Sequence, residues 1–145
     1  MKFQQNRSSC GPAALHNGLA ALGIIRGEDE LIRLCKQTPD GTSASGIITA
    51  IRSISSTDNP LKGLPVQWRS GDDAIVGLWW NIAEHGRPTI LCVDACDHWV
   101  ACVGKLGRRF SVVDSADNAL LLYYTPESLL ARWVSPKGRY YGIIV

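Results

Sequence analysis

The chain has 145 residues, of which 46% are hydrophobic and 19% are charged, and this composition is typical of one globular domain with one core. Its 15 basic and 13 acidic residues leave a net charge of +2, which excludes the strongly basic surface expected of a nucleic-acid-binding domain. The locally basic segments 105–109 and 132–139 are expected to form solvated turns.

The sequence shows no targeting or membrane-spanning segment. The N-terminus is polar, and no apolar stretch approaches the roughly 18 residues that a membrane span requires. We therefore expect a soluble, cytoplasmic domain over residues 1–145, with no nucleic-acid partner, no membrane segment and no cofactor.

The N-terminal part of the chain is predicted to be helical. Residues 11–22 are rich in alanine and leucine, and residues 28–36 place apolar side chains at helical spacing after an acidic start. Residues 46–55 follow a Thr-Ser-Ala-Ser segment that offers N-caps. A turn-rich stretch at 56–64 ends this part of the chain.

The remainder is predicted to consist mainly of strands. The predicted elements are a strand at 65–69, a helix at 72–85, strands at 88–93, 98–104, 109–114 and 119–125, a helix at 126–134 and a strand at 140–145. Helices that precede an antiparallel sheet indicate the α+β class. Two lobes are expected, with a cleft where they meet.

Cys10 stands where a polar segment gives way to the first predicted helix. The unpaired N–H groups of a helix N-terminus attract negative charge, so a thiolate is stabilised there relative to a thiol. Gly11 and Pro12 suit a tight entry into the helix, and Gly11 allows a substrate backbone to approach closely. Alternatively, Cys10 caps the helix or fills the core.

His98 opens a predicted strand, and the turn at 105–107 that follows it resembles a three-residue hairpin loop. This loop sets a register in which His98 lies directly opposite Asp114, with Cβ atoms roughly 4.5–5.5 Å apart. Such a carboxylate fixes the tautomer of the imidazole and stabilises its protonated form, as in catalytic triads. The alternative is a buried structural pair.

The other two histidines, His16 and His85, are interpreted as structural or surface groups.

The five cysteines are expected to be free thiols, most of them buried, because their odd number and the absence of a signal peptide argue against a disulfide framework. Three of them and His98 form the pattern C-x3-C-x-H-x3-C over 92–102, and these residue types suit zinc. However, His98 and Cys102 on one regular strand stand ~13 Å apart and cannot share a tetrahedral ion. We therefore expect no metal.

The order and spacing of these residues resemble the papain-like cysteine peptidases, most closely the peptidase C39 family, which includes bacteriocin-processing domains attached to ABC transporters. That family typically has a glutamine six residues before a Cys-Gly pair that starts a helix, matched here by Gln4 and by Cys10-Gly11. Its histidine follows a buried strand that begins with proline, and its aspartate comes later in a V-x-D motif. His98 and Asp114 match these two positions.

The likeness extends to the segments 41–51 and 125–134, and thus covers nearly the whole chain. Two positions depart from the family's pattern, since Ser9 stands where an acidic residue is frequent and Ser115 where proline is frequent. Neither departure removes a catalytic group. The resemblance implies a papain-like fold, in which an N-terminal helical half packs against a C-terminal antiparallel sheet with the active-site cleft between them.

The resemblance also implies a role for each residue of the site. Cys10 is the expected nucleophile, His98 its general base and acid, and Asp114 the residue that orients His98. Gln4 is expected to donate to the oxyanion together with the backbone N–H of Cys10, and Gln5 is the rival for this role.

The implied activity is hydrolysis of a peptide or isopeptide bond in a peptide or protein substrate, after a small residue or a Gly-Gly pair, through a thioester. Trp99 is a candidate for the substrate-binding wall of the cleft, as is the pair Trp79-Trp80, with core packing as the alternative. Two other functions stay open. One is acyl transfer or amidase chemistry with the same triad, and the other is binding without catalysis on a peptidase fold.

Overall fold

A computed structural model of the chain describes residues 9–116 and 121–145. In chain order the elements are α1 (Cys10–Ala21), α2 (Glu28–Leu34), α3 (Ala44–Ile54), β1 (Leu64–Trp68), α4 (Gly71–Trp79), β2 (Thr89–Val93), β3 (His98–Leu106), β4 (Arg109–Val113), β5 (Leu122–Tyr124), α5 (Pro126–Trp133) and β6 (Tyr140–Ile144). The predicted elements are present with differences at their ends, and the first two residues of the predicted strand at 119–125 lie outside the described residues. The predicted helix at 72–85 is α4 followed by a π-helical turn over Trp80–Glu84.

Side-chain caps explain why three of the helices begin where they do. Ser43, Ser70 and Thr125 each accept a hydrogen bond from a backbone N–H three residues further on, at the starts of α3, α4 and α5. Proline at the first position of α5 suits a helix start because its missing N–H has no partner there in any case. Within the described part of the chain, no helix is long and apolar enough to cross a membrane.

The six strands form one antiparallel sheet in the order β1-β6-β2-β3-β4-β5. Helices cover both faces of its centre. On one face, Ile90 and Ile143 pack against apolar side chains of α1, α2 and α3. On the other, Leu91 and Val93 pack with side chains of α4 and α5. Successive β2 residues therefore face opposite sides of the sheet, as the alternation of a strand requires. The structure thus has two apolar clusters, whereas the composition predicted one core.

The predicted register of the β3–β4 hairpin is wrong. Leu106 pairs with Arg109, so the connection is a two-residue turn that begins with Gly107 at φ 58°, and not a three-residue loop. A bulge then shifts the register, so that Cys102 pairs with Val112. A two-residue turn without a bulge would place His98 and Asp114 on opposite faces of the hairpin. The extra residue in β3 returns them to the same face.

Candidate active site

Cys10 is the first residue of α1, and only 7% of its surface is exposed. It lines a cleft of about 360 Å³ between the helical part and the sheet. The cleft is also lined by residues of the loop before α3, of the β2–β3 turn and of β3, namely Pro39, Asp40, Gly41, Thr42, Cys96, Asp97 and Trp99. The thiol is therefore accessible from the cleft and lies at a helix end that favours negative charge.

His98 and Asp114 form a hydrogen bond of 2.7 Å between Nε2 and Oδ1. Continuing the Cys102–Val112 register would put Val100 opposite Asp114, so the His98–Asp114 contact is diagonal and the side chains span the added distance. The carboxylate occupies Nε2, so Nδ1 is the ring nitrogen left for the thiol of Cys10. Cys10 interacts with the imidazole through a hydrogen bond and through its charge.

The surroundings of His98 favour its protonated form. Burial alone would lower the pKa of the imidazole, but hydrogen bonds with Asp114 and Cys10, and the charges of both, outweigh it and raise the pKa to about 9. Asp114 responds in the opposite sense. Burial would raise its pKa, but hydrogen bonds from His98, the Ala116 backbone and Arg132 lower the pKa to about 2. The pair is thus an imidazolium–carboxylate ion pair at neutral pH.

Arg132 also contacts the site, although no pattern in the sequence predicts it. The segment 132–139 was expected to be a solvated basic turn, but this expectation is wrong for its first two residues, because Arg132 and Trp133 form the end of α5. The Arg132 side chain is only 21% exposed, and Trp133 is fully buried. The Nη2 of Arg132 lies 2.8 Å from Oδ2 of Asp114. No local pattern in the sequence marks the contacts of Arg132, because Asp94 and Asp114 both lie far before it in the chain.

The candidate residues for substrate binding lie in different places. Trp99 lines the cleft, and its indole N–H donates to the backbone oxygen of Thr42 across 3.0 Å. Gly11 is buried beneath Thr42, where an added Cβ would lie 2.7 Å from the Thr42 Cβ, so its small size allows the 39–42 loop to approach α1. Trp79 and Trp80 are 36% and 53% exposed, and they neither line this cleft nor fill the core.

Other residues that the sequence singled out lie outside the site or outside the described residues. Gln4, the candidate oxyanion donor, and its rival Gln5 lie outside the residues that the structure describes. His16 binds the backbone oxygen of Arg26 at 2.8 Å, and His85 contacts the ring of Trp80, so both are away from the cleft.

The five cysteines are free thiols, of which Cys96 is exposed and the other four are buried. Over residues 9–116 and 121–145, no group of three or more histidine, cysteine or acidic side chains has a geometry that could hold a metal ion. The C-x3-C-x-H-x3-C pattern therefore does not assemble into a metal-ligand cluster in the described structure.

Solved structures of C39 peptidase domains share the fold of this chain. The peptidase domain of Streptococcus ComA, a bi-functional ABC transporter involved in quorum sensing, gives a TM-score of 0.71 at 17% identity, over 99% of this chain and 96% of that one. A double-glycine-motif protease from an AMS/PCAT transporter, in complex with the leader peptide, gives 0.67 at 18% identity, over 99% and 89%. A C39-like protein of Bacillus anthracis gives 0.65 at 12% identity, over 100% and 94%.

No family model and no curated protein matches the sequence. The structural likeness nevertheless covers almost the whole of each chain, and it confirms the expected α+β, papain-like fold of the C39 peptidase domains.

Proposed function

We propose that the chain is a cysteine peptidase that hydrolyses a peptide or isopeptide bond through a thioester on Cys10. The observation that carries the proposal is the arrangement around His98, where Asp114 binds one ring nitrogen at 2.7 Å and Cys10 interacts with the same imidazole at the edge of an open cleft. Nucleophile, base and orienting group in this order are what acyl transfer to a thiol requires.

The proposed reaction has two stages. The thiolate of Cys10 attacks the carbonyl carbon, and the imidazolium of His98 then protonates the leaving amine as the C–N bond breaks, which leaves a thioester. The neutral imidazole takes a proton from water, and the resulting hydroxide attacks the thioester and releases the acid. Asp114 holds the ring in the tautomer that carries its proton on Nε2, as the hydrogen bond at that nitrogen requires.

Charge that develops on the carbonyl oxygen needs hydrogen-bond donors. We assign this role to the backbone N–H of Cys10, which belongs to the first turn of α1, and to the side chain of Gln4. The assignment of Gln4 rests on its position six residues before Cys10 in the sequence, as in the C39 family.

The proposed substrate is a peptide or protein cleaved after a small residue, such as one of a Gly-Gly pair. Two observations support it. A double-glycine-motif protease of the same fold was solved in complex with the leader peptide. In this chain, the Trp99 indole, fixed by the backbone of Thr42, forms a rigid wall of the cleft near Cys10. A rigid aromatic wall beside the nucleophile favours residues without a large side chain.

Alkylation by iodoacetamide tests the role of His98, with each cysteine peptide quantified by mass spectrometry. The exposed Cys96 is replaced by serine in every variant, so that it does not compete for the reagent. Cys10 is expected to react at neutral pH much faster than the buried Cys35, and His98→Ala is expected to slow Cys10 by roughly tenfold or more. Equal rates at Cys10 in the parent and in His98→Ala would contradict the proposal and favour a binding module without catalysis.

An activated-ester substrate tests which acceptor completes the reaction. The acyl-enzyme on Cys10 is expected to be resolved by water, with added amines or thiols increasing its turnover little. Faster resolution by an amine or a thiol would favour an acyltransferase with the same residues. Cys10→Ala is the control, since it leaves the cleft in place and is expected to form no acyl-enzyme.

A further inference from the structure

The Arg132 guanidinium binds three side chains that come from separate parts of the chain. Its Nη2 lies 2.8 Å from Oδ2 of Asp114. Its Nε and Nη2 each donate to one oxygen of Asp94 across 2.9 Å, and Nη1 donates to the Tyr124 hydroxyl across 2.9 Å. A planar guanidinium with several occupied donors holds its partners in a fixed relative orientation, which a lysine ammonium does not do.

The carboxylate of Asp114 is held on both of its oxygens. Oδ1 accepts from His98 at 2.7 Å and from the Ala116 backbone at 3.0 Å, while Oδ2 faces Arg132. Rotation of the carboxylate would break contacts on both sides. The oxygen that binds His98 is therefore fixed in part by the guanidinium on the other oxygen.

Arg132 also holds the turn that leads from β2 into β3. Three consecutive residues there, Asp94, Ala95 and Cys96, have φ values of 55°, 59° and 62°, a left-handed conformation that residues with a Cβ rarely adopt. The Asp94 side chain accepts both hydrogen bonds of the bidentate contact from Arg132. The backbone N–H of Asp94 also donates to the backbone oxygen of Arg132 across 3.0 Å. The same turn carries Cys96 and Asp97 to the wall of the cleft, immediately before His98.

We propose that Arg132 is a positioning residue of the active site, which fixes Asp114 against His98 and holds the 94–97 turn beside the cleft. The inference rests on the proposed function, because a positioning role presupposes that His98 acts on Cys10. Arg132 touches neither the nucleophile nor the cleft. It acts through the two carboxylates that it joins.

Asp114 and Cys10 act electrostatically on His98, and so does Asp94. Arg132 binds the carboxylates of both Asp114 and Asp94. Replacing the guanidinium would change both the charge near His98 and the orientation of its partner. The test therefore follows the hydrogen bond itself, through the proton on Nε2 of His98. A short hydrogen bond to a carboxylate gives this proton a downfield, slowly exchanging NMR signal.

The experiment compares Arg132→Gln, Arg132→Lys, Asp114→Asn and the double variant Arg132→Gln with Asp114→Asn. The matched control is Arg26→Gln, which removes an arginine from a half-exposed i,i+4 ion pair with Glu30. Each protein is measured for the downfield proton signal, for the alkylation rate of Cys10 and for thermal unfolding.

The expected result is that Arg132→Gln loses the downfield signal and slows alkylation of Cys10 by roughly tenfold. The double variant should be no slower than Asp114→Asn alone, because both substitutions disrupt the same contact. Arg26→Gln should match the parent. Arg132→Lys should fold and also lose the signal, so it decides the question if Arg132→Gln does not fold.

Retention of the downfield signal in a folded Arg132 variant would overturn the inference, as would rate losses that multiply in the double variant. Failure of the proposed function has a different signature, since Cys10 would then react equally fast in the parent and in His98→Ala. If the alkylation rate of Cys10 falls in His98→Ala but not in the Arg132 variants, the proposed function stands and only the positioning role is rejected.

Discussion

At the scale of single residues, the ionisation of His98 is decided by its two neighbours against the effect of burial. The side chain is only 14% exposed, and burial by itself would favour the neutral ring. The carboxylate of Asp114 is 4% exposed and lies 2.7 Å away, so little solvent screens the pair. The same contacts that raise the pKa of the imidazole stabilise the folded state, because the unfolded chain lacks them.

A pH-dependent stability follows for this pair. The pKa of His98 rises from the ordinary 6.5 to about 9 in the folded protein, so the folded state binds more protons than the unfolded state between these values. The contribution is fully present below the lower value and is lost as the pH rises through the higher one, while Asp114 stays ionised throughout. We expect the free energy of unfolding to fall by roughly 1–3 kcal/mol more in the parent than in His98→Gln over this range.

Urea unfolding of both proteins at about pH 6 and about pH 9.5 measures the difference, since the other titrating groups are common to both. Equal losses of stability in the parent and in His98→Gln would show that the histidine gains nothing from Asp114. Asp114→Asn should behave like His98→Gln in this measurement.

At the scale of elements, the β2–β3 turn is the most strained part of the described backbone, because it has three consecutive non-glycine residues with positive φ. Its three non-glycine residues in the left-handed region are Asp94, Ala95 and Cys96, and each costs roughly 1–2 kcal/mol relative to the right-handed conformation. The contacts of Asp94 with Arg132 offset part of this cost. The bond between Arg132 and Asp94 also lowers the pKa of the Asp94 carboxyl, so the contact persists well below neutral pH.

Relief of this strain can be measured at Ala95, whose side chain is exposed. We expect Ala95→Gly to raise the free energy of unfolding by roughly 0.5–1 kcal/mol. Glycine adopts the left-handed conformation without the steric penalty that alanine has there, and removal of this penalty outweighs the larger entropy that glycine loses on folding. Ala83→Gly is the control. Ala83 is exposed in the π-helical turn with ordinary φ, so the same change there should lower the free energy by roughly 0.5–1 kcal/mol. A destabilised Ala95→Gly protein would mean that the turn carries no such strain.

At the scale of the whole molecule, the central strands join two apolar clusters. Leu15 and Cys35 belong to the cluster between the sheet and α1–α3, and Leu78 and Cys102 to the cluster on the other face. Alternate residues of β2 take part in each. Loss of either cluster would expose one face of the same strands, so the two clusters are expected to unfold together.

Two buried thiols report on the two clusters separately. Burial raises the pKa of both Cys35 and Cys102 to about 12, so neither reacts with an alkylating agent until it is exposed. We expect both to become reactive at the same urea concentration in the parent. Leu15→Ala and Leu78→Ala should each lower this concentration equally for both thiols, through a loss of roughly 2–5 kcal/mol. Earlier exposure of Cys35 than of Cys102 in Leu15→Ala would show that the clusters unfold independently.

The sequence by itself determined the order of the elements and the α+β class, and it singled out Cys10, His98 and Asp114 as the candidates for catalysis. Apolar periodicity, capping residues and glycine stops are local, so they could be interpreted without the fold. The location in the cytoplasm, the substrate and the role of Gln4 stay predictions.

Only the tertiary structure decided the register of the β3–β4 hairpin and the place of Arg132. The pairing of His98 with Asp114 was predicted from a turn that does not form. It is retained because a bulge between Cys102 and Gly104 compensates the shorter turn. The bulge is an extra residue in one strand of a pair, and the contacts of Arg132 with Asp94 and Asp114 join segments far apart in the chain. Both arise from long-range packing, which no local pattern of residues encodes.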